Sequence, residues 1–197
     1  TIYKRSGDTF TKLSNPSSRP TGVAYGCAFS PDGTYLAVAH EGSWYITIYK
    51  RSGDTFTKLS DPSSLPPYTA YGCAFSPDGT YLVVAHFSSP YITIYKRSGD
   101  TFTKLSDPSS FPTGHGLDCA FSPDGTYLAV AHLGSPYITI YKRSGDTFTK
   151  LSDPSSFPTG HGLDCAFSPD GTYLAVAHLG SPYITIYKRS GDTFTKL

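Results

Sequence analysis

"SDPSSFPTGHGLDCAFSPDGTYLAVAHLGSPYITIYKRSGDTFTKL", residues 106–151, is followed at residues 152–197 by the same forty-six letters. Within it "LDCAF", "YLAVAH", "YITIY" and "TFTKL" are short and rich in aromatic and β-branched residues, the composition of strands. The intervening "SPDGT", "LGSP", "RSGD" and "SDPSSFPTG" hold the turn formers. The unit therefore reads as four strands, A to D, joined by four connections. Asp124-Gly125 is a strong hairpin signal, and a type I′ turn is expected there because that turn needs positive φ at both central residues.

The same unit organises the whole chain. "TIYKRSGDTFTKL" opens the sequence at Thr1 and recurs at Thr47, Thr93, Thr139 and Thr185, always 46 residues on. Residues 1–13 thus read as a half-blade made of strands C and D, followed by blades at 14–59, 60–105, 106–151 and 152–197. Strand B alternates Leu128, Val130 and His132 with Tyr127, Ala129 and Ala131, and strand C sets Ile138 and Ile140 against Tyr137, Thr139 and Tyr141. Both faces of the sheet carry packable side chains, so each sheet needs a neighbour on either side. Repeats of this length with four strands, stacked face to face about an axis, make a β-propeller. The fold class expected is all-β, a β-propeller of four-stranded antiparallel blades.

"AFSPDGTYLAVAH" followed by "YITIYK" resembles the WD-repeat β-propeller family, and Gly114-His115 and Gly160-His161 resemble that family's Gly-His dipeptide ahead of strand A. The resemblance implies the propeller fold. Near-identity between units is similar to a recently amplified propeller, in which every blade still fits every other blade's neighbour.

Bulk properties exclude several partners. The formal charge is +1 with no basic or acidic run, which argues against nucleic acid. No stretch is long and apolar enough for a membrane span, and no leader pattern opens the chain. There is no Met, so Thr1 is read as a position in a fragment, a processed form or an engineered cut, and the compartment is not legible.

The four cysteines, Cys27, Cys73, Cys119 and Cys165, occupy one equivalent position in strand A. Equivalent sites on different blades are too far apart for a disulfide, so free buried thiols are expected. Metal ligands need short mixed spacings, and neither a metal nor a cofactor is expected. His40, His86, His132 and His178 end strand B in every unit, which reads as a hydrogen-bonded structural role. His115 and Asp118, like His161 and Asp164, lie close enough in sequence to form an imidazole–carboxylate pair. No HExxH, GxSxG, phosphate-binding or calcium-binding loop is present, and the chain is expected not to be an enzyme.

The repeats also serve as an internal comparison. The A–B turn and "RSGDT" never vary, whereas differences concentrate in the D–A connection and in the B–C connection. Both emerge on one side of an antiparallel blade, so the variable loops share a face, where recognition residues tend to sit. The D–A set contributes Arg19, Val23, Tyr25, Leu65, Tyr68, Tyr71, Phe111, His115, Asp118, Phe157, His161 and Asp164. The B–C set contributes Glu41, Trp44, Phe87, Leu133 and Leu179. Large aromatic surfaces beside a few charges suit contact with a protein or a glycan.

The function expected is a non-enzymatic interaction module presenting these loops to a protein ligand. The alternative is a carbohydrate-binding lectin with sites between blades, and a third class is a hydrolase or lactonase-like propeller. Two copies of the C–D segment compete for one place beside strand B of the last unit if a four-bladed ring closes. A homodimer forming an eight-bladed ring is therefore expected, with excision from a longer array as the other possibility.

Overall fold

The computed structural model describes all 197 residues and contains strands and turns only. A hairpin of β1 (Tyr3–Ser6) and β2 (Thr9–Lys12) precedes four sheets of one plan. The first is β3 (Ala24–Phe29), β4 (Tyr35–His40), β5 (Ile46–Ser52) and β6 (Thr55–Lys58). The second is β7 (Ala70–Phe75), β8 (Tyr81–His86), β9 (Ile92–Ser98) and β10 (Thr101–Lys104). The third is β11 (Gly116–Phe121), β12 (Tyr127–His132), β13 (Ile138–Ser144) and β14 (Thr147–Lys150). The fourth is β15 (Gly162–Phe167), β16 (Tyr173–His178), β17 (Ile184–Ser190) and β18 (Thr193–Lys196). Each sheet is antiparallel, with its strands in chain order.

Strands β3, β7, β11 and β15 lie side by side as the inner strands of successive blades. Between blades the face carrying Tyr127, Ala129, Ala131, Ile138 and Ile140 packs against Cys165, Leu174, Val176, Tyr187 and Phe194 of the next blade. The same layer recurs between the first and second blades and between the second and third. The two-faced alternation of strands B and C is thus used in full, and the fold is an arc of a β-propeller.

The turns correct one expectation. Gly33 N–H donates to the Ser30 carbonyl, and positive φ falls on Gly33 and not on Asp32. This is a type I turn with Pro31 and Asp32 at its centre, followed by a left-handed glycine, rather than type I′. Pro31 holds φ negative at the first central position and so forbids the primed turn. Asp32 then closes the turn by accepting from Ser30 Oγ and from Thr34 N–H at 3.0 Å. In "RSGDT" the paired residues are Ser52 and Thr55, and Gly53 takes φ 58° at the first loop position, a type II′ arrangement.

On the A–B and C–D side, neighbouring blades are joined by a repeated polar contact. The Tyr35 hydroxyl donates to Asp100 Oδ1 at 2.6 Å, Lys50 Nζ reaches Asp100 Oδ2 at 2.8 Å, and the Arg97 guanidinium lies 4.9 Å over the Tyr35 ring. Tyr81 with Asp146, Lys96 and Arg143, and Tyr127 with Asp192, Lys142 and Arg189, repeat it. The four strand-B histidines are buried, each ring Nε2 within hydrogen-bond distance of the Thr Oγ1 on strand C, His132 and Thr139 at 2.9 Å. Cys73, Cys119 and Cys165 are buried free thiols; Cys27 is free but exposed, because no full blade covers that face of β3.

The hairpin β1–β2 forms a two-stranded sheet of its own, and β16 pairs with β17. The second copy of the repeated segment therefore holds the place beside strand B of the last blade. The first lies against the first blade through Ile2 and Leu13, with Lys4 paired to Asp54 at 2.9 Å.

Candidate active site

Every inner strand carries one β-bulge near its start, between Ala24 and Gly26, Ala70 and Gly72, Gly116 and Asp118, and Gly162 and Asp164. A bulge bends the strand and re-aims the residue beyond it. That residue faces the neighbouring inner strand, where backbones approach closely. A Cβ on Gly26 would meet the Tyr71 carbonyl, and one on Gly72 would meet Asp118 at 2.8 Å. The first two blades place glycine here and the last two place aspartate. Gly72, by having no side chain, leaves room for the Asp118 carboxyl between the second blade and the fourth.

Asp118 Oδ2 accepts from Cys165 N–H at 3.2 Å, with Cys165 Sγ at 3.9 Å. Its proton affinity is raised to about 7, first by burial and then by the charge of Asp164, against the lowering effect of the Cys165 amide. Asp164 itself is exposed. Two carboxyls of equal sequence position thus differ in environment, Asp118 half-buried and Asp164 exposed. Burial, with the Asp118 charge next in size, also holds the Cys165 thiol well above its usual range, so it is no nucleophile at neutral pH.

The imidazole–carboxylate pair is not what forms. His115 packs against Phe87 with ring centroids 3.8 Å apart and planes tilted by 36°, and lies 6.0 Å from Tyr91, and His161 lies 5.8 Å from Tyr137. The bulge separates the two residue types, sending the histidine to the blade-to-blade seam and the aspartate to the inner strand. From the first blade to the third the seam continues as Tyr45 on Tyr68 and Tyr68 on Phe87, at 5.9 and 5.3 Å.

The D–A and B–C loops meet on one side, since Glu41 N–H donates to the Val23 carbonyl and Thr113 Oγ1 to the Ser135 carbonyl. Tyr25 and Tyr71 pack 5.2 Å apart, and the Tyr25 hydroxyl donates to Glu41 at 2.7 Å. Trp44 is 50% exposed at φ 80°. Arg19, Val23, Phe111, Phe157 and Leu179 are exposed, Leu133 is half-buried, and Leu65 packs into the core between the first two blades. No group of three or more His, Cys, Asp or Glu side chains is arranged to hold a metal ion. No helix is long and apolar enough to cross a membrane.

No protein-family model and no curated protein matches the chain. Solved structures do. A candidate 6-phosphogluconolactonase of Bacteroides uniformis superposes with a TM-score of 0.77 at 20% identity, over 96% of this chain and 59% of that one. A candidate 6-phosphogluconolactonase of Bacteroides fragilis gives 0.73 at 18% identity, over 88% and 53%. The periplasmic gluconolactonase of Pseudomonas aeruginosa gives 0.74 at 19% identity, over 99% and 62%. The fold is that of these propellers, and the chain spans a little over half the length of each.

These likenesses overturn the expectation of a non-enzymatic module and, with it, the lectin alternative. The fold taken for a ligand-presenting scaffold is one borne by proteins named as lactonases. That expectation rested on the absence of familiar catalytic motifs; on the inner strands Asp118, half-buried, and Asp164, exposed, occupy equivalent positions in different surroundings.

Proposed function

We propose that the chain is part of a propeller hydrolase that opens lactones, with the Asp118–Asp164 pair as its acid–base centre. The observation that supports this most is the raised proton affinity of Asp118 beside a second, exposed carboxyl on the inner strands. The similarity in fold to proteins named for gluconolactone chemistry supplies the reaction class. In this reading one ionised carboxyl takes a proton from water as the water oxygen adds to the lactone carbonyl. The ring oxygen then leaves as the carbonyl re-forms and takes a proton from the carboxylic acid, giving the open hydroxy acid. A carboxyl with affinity near neutral is suited to both transfers. The WD-repeat likeness belongs to this proposal as one of blade sequence.

The test is hydrolysis of glucono-δ-lactone and of its 6-phosphate by the purified chain, followed by acid release in a pH-stat. Turnover above the spontaneous rate that Asp118→Asn removes supports the assignment. A rate equal to that of Asp118→Asn on both lactones overturns it.

A further inference from the structure

The Asp118 carboxyl is gripped from the blades on both sides of its own. On one side is Gly72 of β7, where a Cβ would stand 2.7 Å from the Leu117 carbonyl oxygen and 2.8 Å from Asp118 Oδ1. Gly26 is as tightly placed one blade earlier, its Cβ position 2.5 Å from the Tyr71 carbonyl oxygen, but it meets backbone only. On the other side is Cys165 of β15, whose N–H donates to Asp118 Oδ2 at 3.2 Å and whose thiol lies 3.9 Å from the same oxygen. The equivalent thiols of Cys73 and Cys119 lie 3.7 Å from the carbonyl oxygens of Ala37 and Val83. Cys165 Sγ keeps the matching contact, with Ala129 at 3.8 Å, and adds the carboxylate.

We propose that Gly72 and Cys165 are positioning residues for Asp118, the glycine by leaving the notch that Oδ1 enters and the cysteine by aiming its N–H and thiol at Oδ2. Neither touches a reacting atom; both act through the carboxyl. The titratable groups that face it are Asp164 and Cys165 on β15, Cys119 on its own strand and Cys73 on β7. All are acids, so no cation among them favours the carboxylate. What favours it is the Cys165 N–H and, after it, the Cys119 N–H, against burial as the largest opposing cause. A carboxyl that is moved out of the notch therefore loses burial and the Cys165 donor together, and burial is the larger of the two.

The test reads the bond directly. In the parent chain the Cys165 amide proton should move downfield as Asp118 ionises, with a midpoint near 7, and should not move in Asp118→Asn. Gly72→Ala fills the notch and should lower the midpoint by about one unit or more. Gly26→Ala, with the same backbone crowding and no carboxyl opposite, should lose comparable stability and leave the midpoint in place. Cys165→Ala keeps the N–H and removes a weak donor, so its residue-165 amide should report a midpoint a few tenths of a unit higher; it decides the matter if Gly72→Ala does not fold. An amide indifferent to Asp118, or a midpoint that stays at the parent value in the folded variants, overturns the proposal.

Its consequence for turnover rests on the lactone reading: the pH–rate profile on glucono-δ-lactone should shift with the amide midpoint in Gly72→Ala. Absence of hydrolysis with the amide titration intact removes the lactone reading alone. Hydrolysis abolished by Asp118→Asn but with unshifted profile and midpoint in Gly72→Ala and Cys165→Ala removes the positioning roles alone.

Discussion

The Tyr81 hydroxyl of the second blade donates to the carboxylate of Asp146 in the third, 65 residues away, while Lys96 holds the other oxygen of the same carboxylate at 2.8 Å. The contact ties a strand-B tyrosine to the C–D turn of the next blade, so it resists the sliding of one sheet over another. Tyr81→Phe should lower the thermal midpoint by about 2–4 °C, the response to losing one hydrogen bond in a chain of this length. Tyr173→Phe, which removes a hydroxyl without such a partner, should leave the midpoint of the monomer unchanged. Coupling in a double-mutant cycle with Asp146→Ala, read by thermal melts, checks that the effect belongs to the pair.

Invariance of "RSGDT" between units was legible in the sequence as a turn, but its Asp as the acceptor for the preceding blade's strand-B tyrosine was not. Strand pattern fixes which side chains share a face; it does not fix which neighbour meets them. The blade plan could be read because period-2 alternation and turn residues are local signals. The bulge that parts His115 from Asp118 could not, since it arises from the pairing of β11 with β12. One signal for the site lay in plain view: Gly26 and Gly72 are replaced by Asp118 and Asp164 at one register. Its meaning required knowing that inner strands approach closely there.

Thiol reactivity should separate the four cysteines. Burial pushes the Cys73 thiol up to about 12 and raises Cys119 and Cys165 well above their usual range. Cys27 is the exposed one. A water-soluble disulfide reagent at neutral pH should modify Cys27 alone in the folded chain and all four in denaturant.

Asp118 should make stability fall as pH rises. Its proton affinity in the folded chain lies near 7, against an ordinary value of 3.8. Between those values the folded chain binds the proton more tightly than the unfolded one. The contribution to stability is therefore complete below about pH 3.8 and is lost as pH rises through about 7. Urea titrations across this window should show the decline, and Asp118→Asn, which cannot ionise, should remove it.

Buried histidines act with the opposite sign, and the same substitution should uncover them. His86 and His132 are lowered to about 4, chiefly because burial disfavours the imidazolium, whereas their ordinary value is 6.5. Their contribution is present above about pH 6.5 and is lost as pH falls through about 4, since the unfolded chain takes up protons first. In the parent chain Asp118 offsets part of this slope; in Asp118→Asn the acid-side loss should steepen and the unfolding midpoint in urea should fall steadily from pH 6.5 to 4. Thr139→Val removes the hydroxyl that His132 Nε2 meets at 2.9 Å, leaving a buried ring nitrogen without that partner at a cost of roughly 1–3 kcal/mol. At neutral pH that variant should unfold at lower urea than the parent. Proton NMR of the imidazole C–H signals should show His86 and His132 still neutral at pH 5, and titration of either near 6.5 in the folded chain would contradict the buried pairing with threonine.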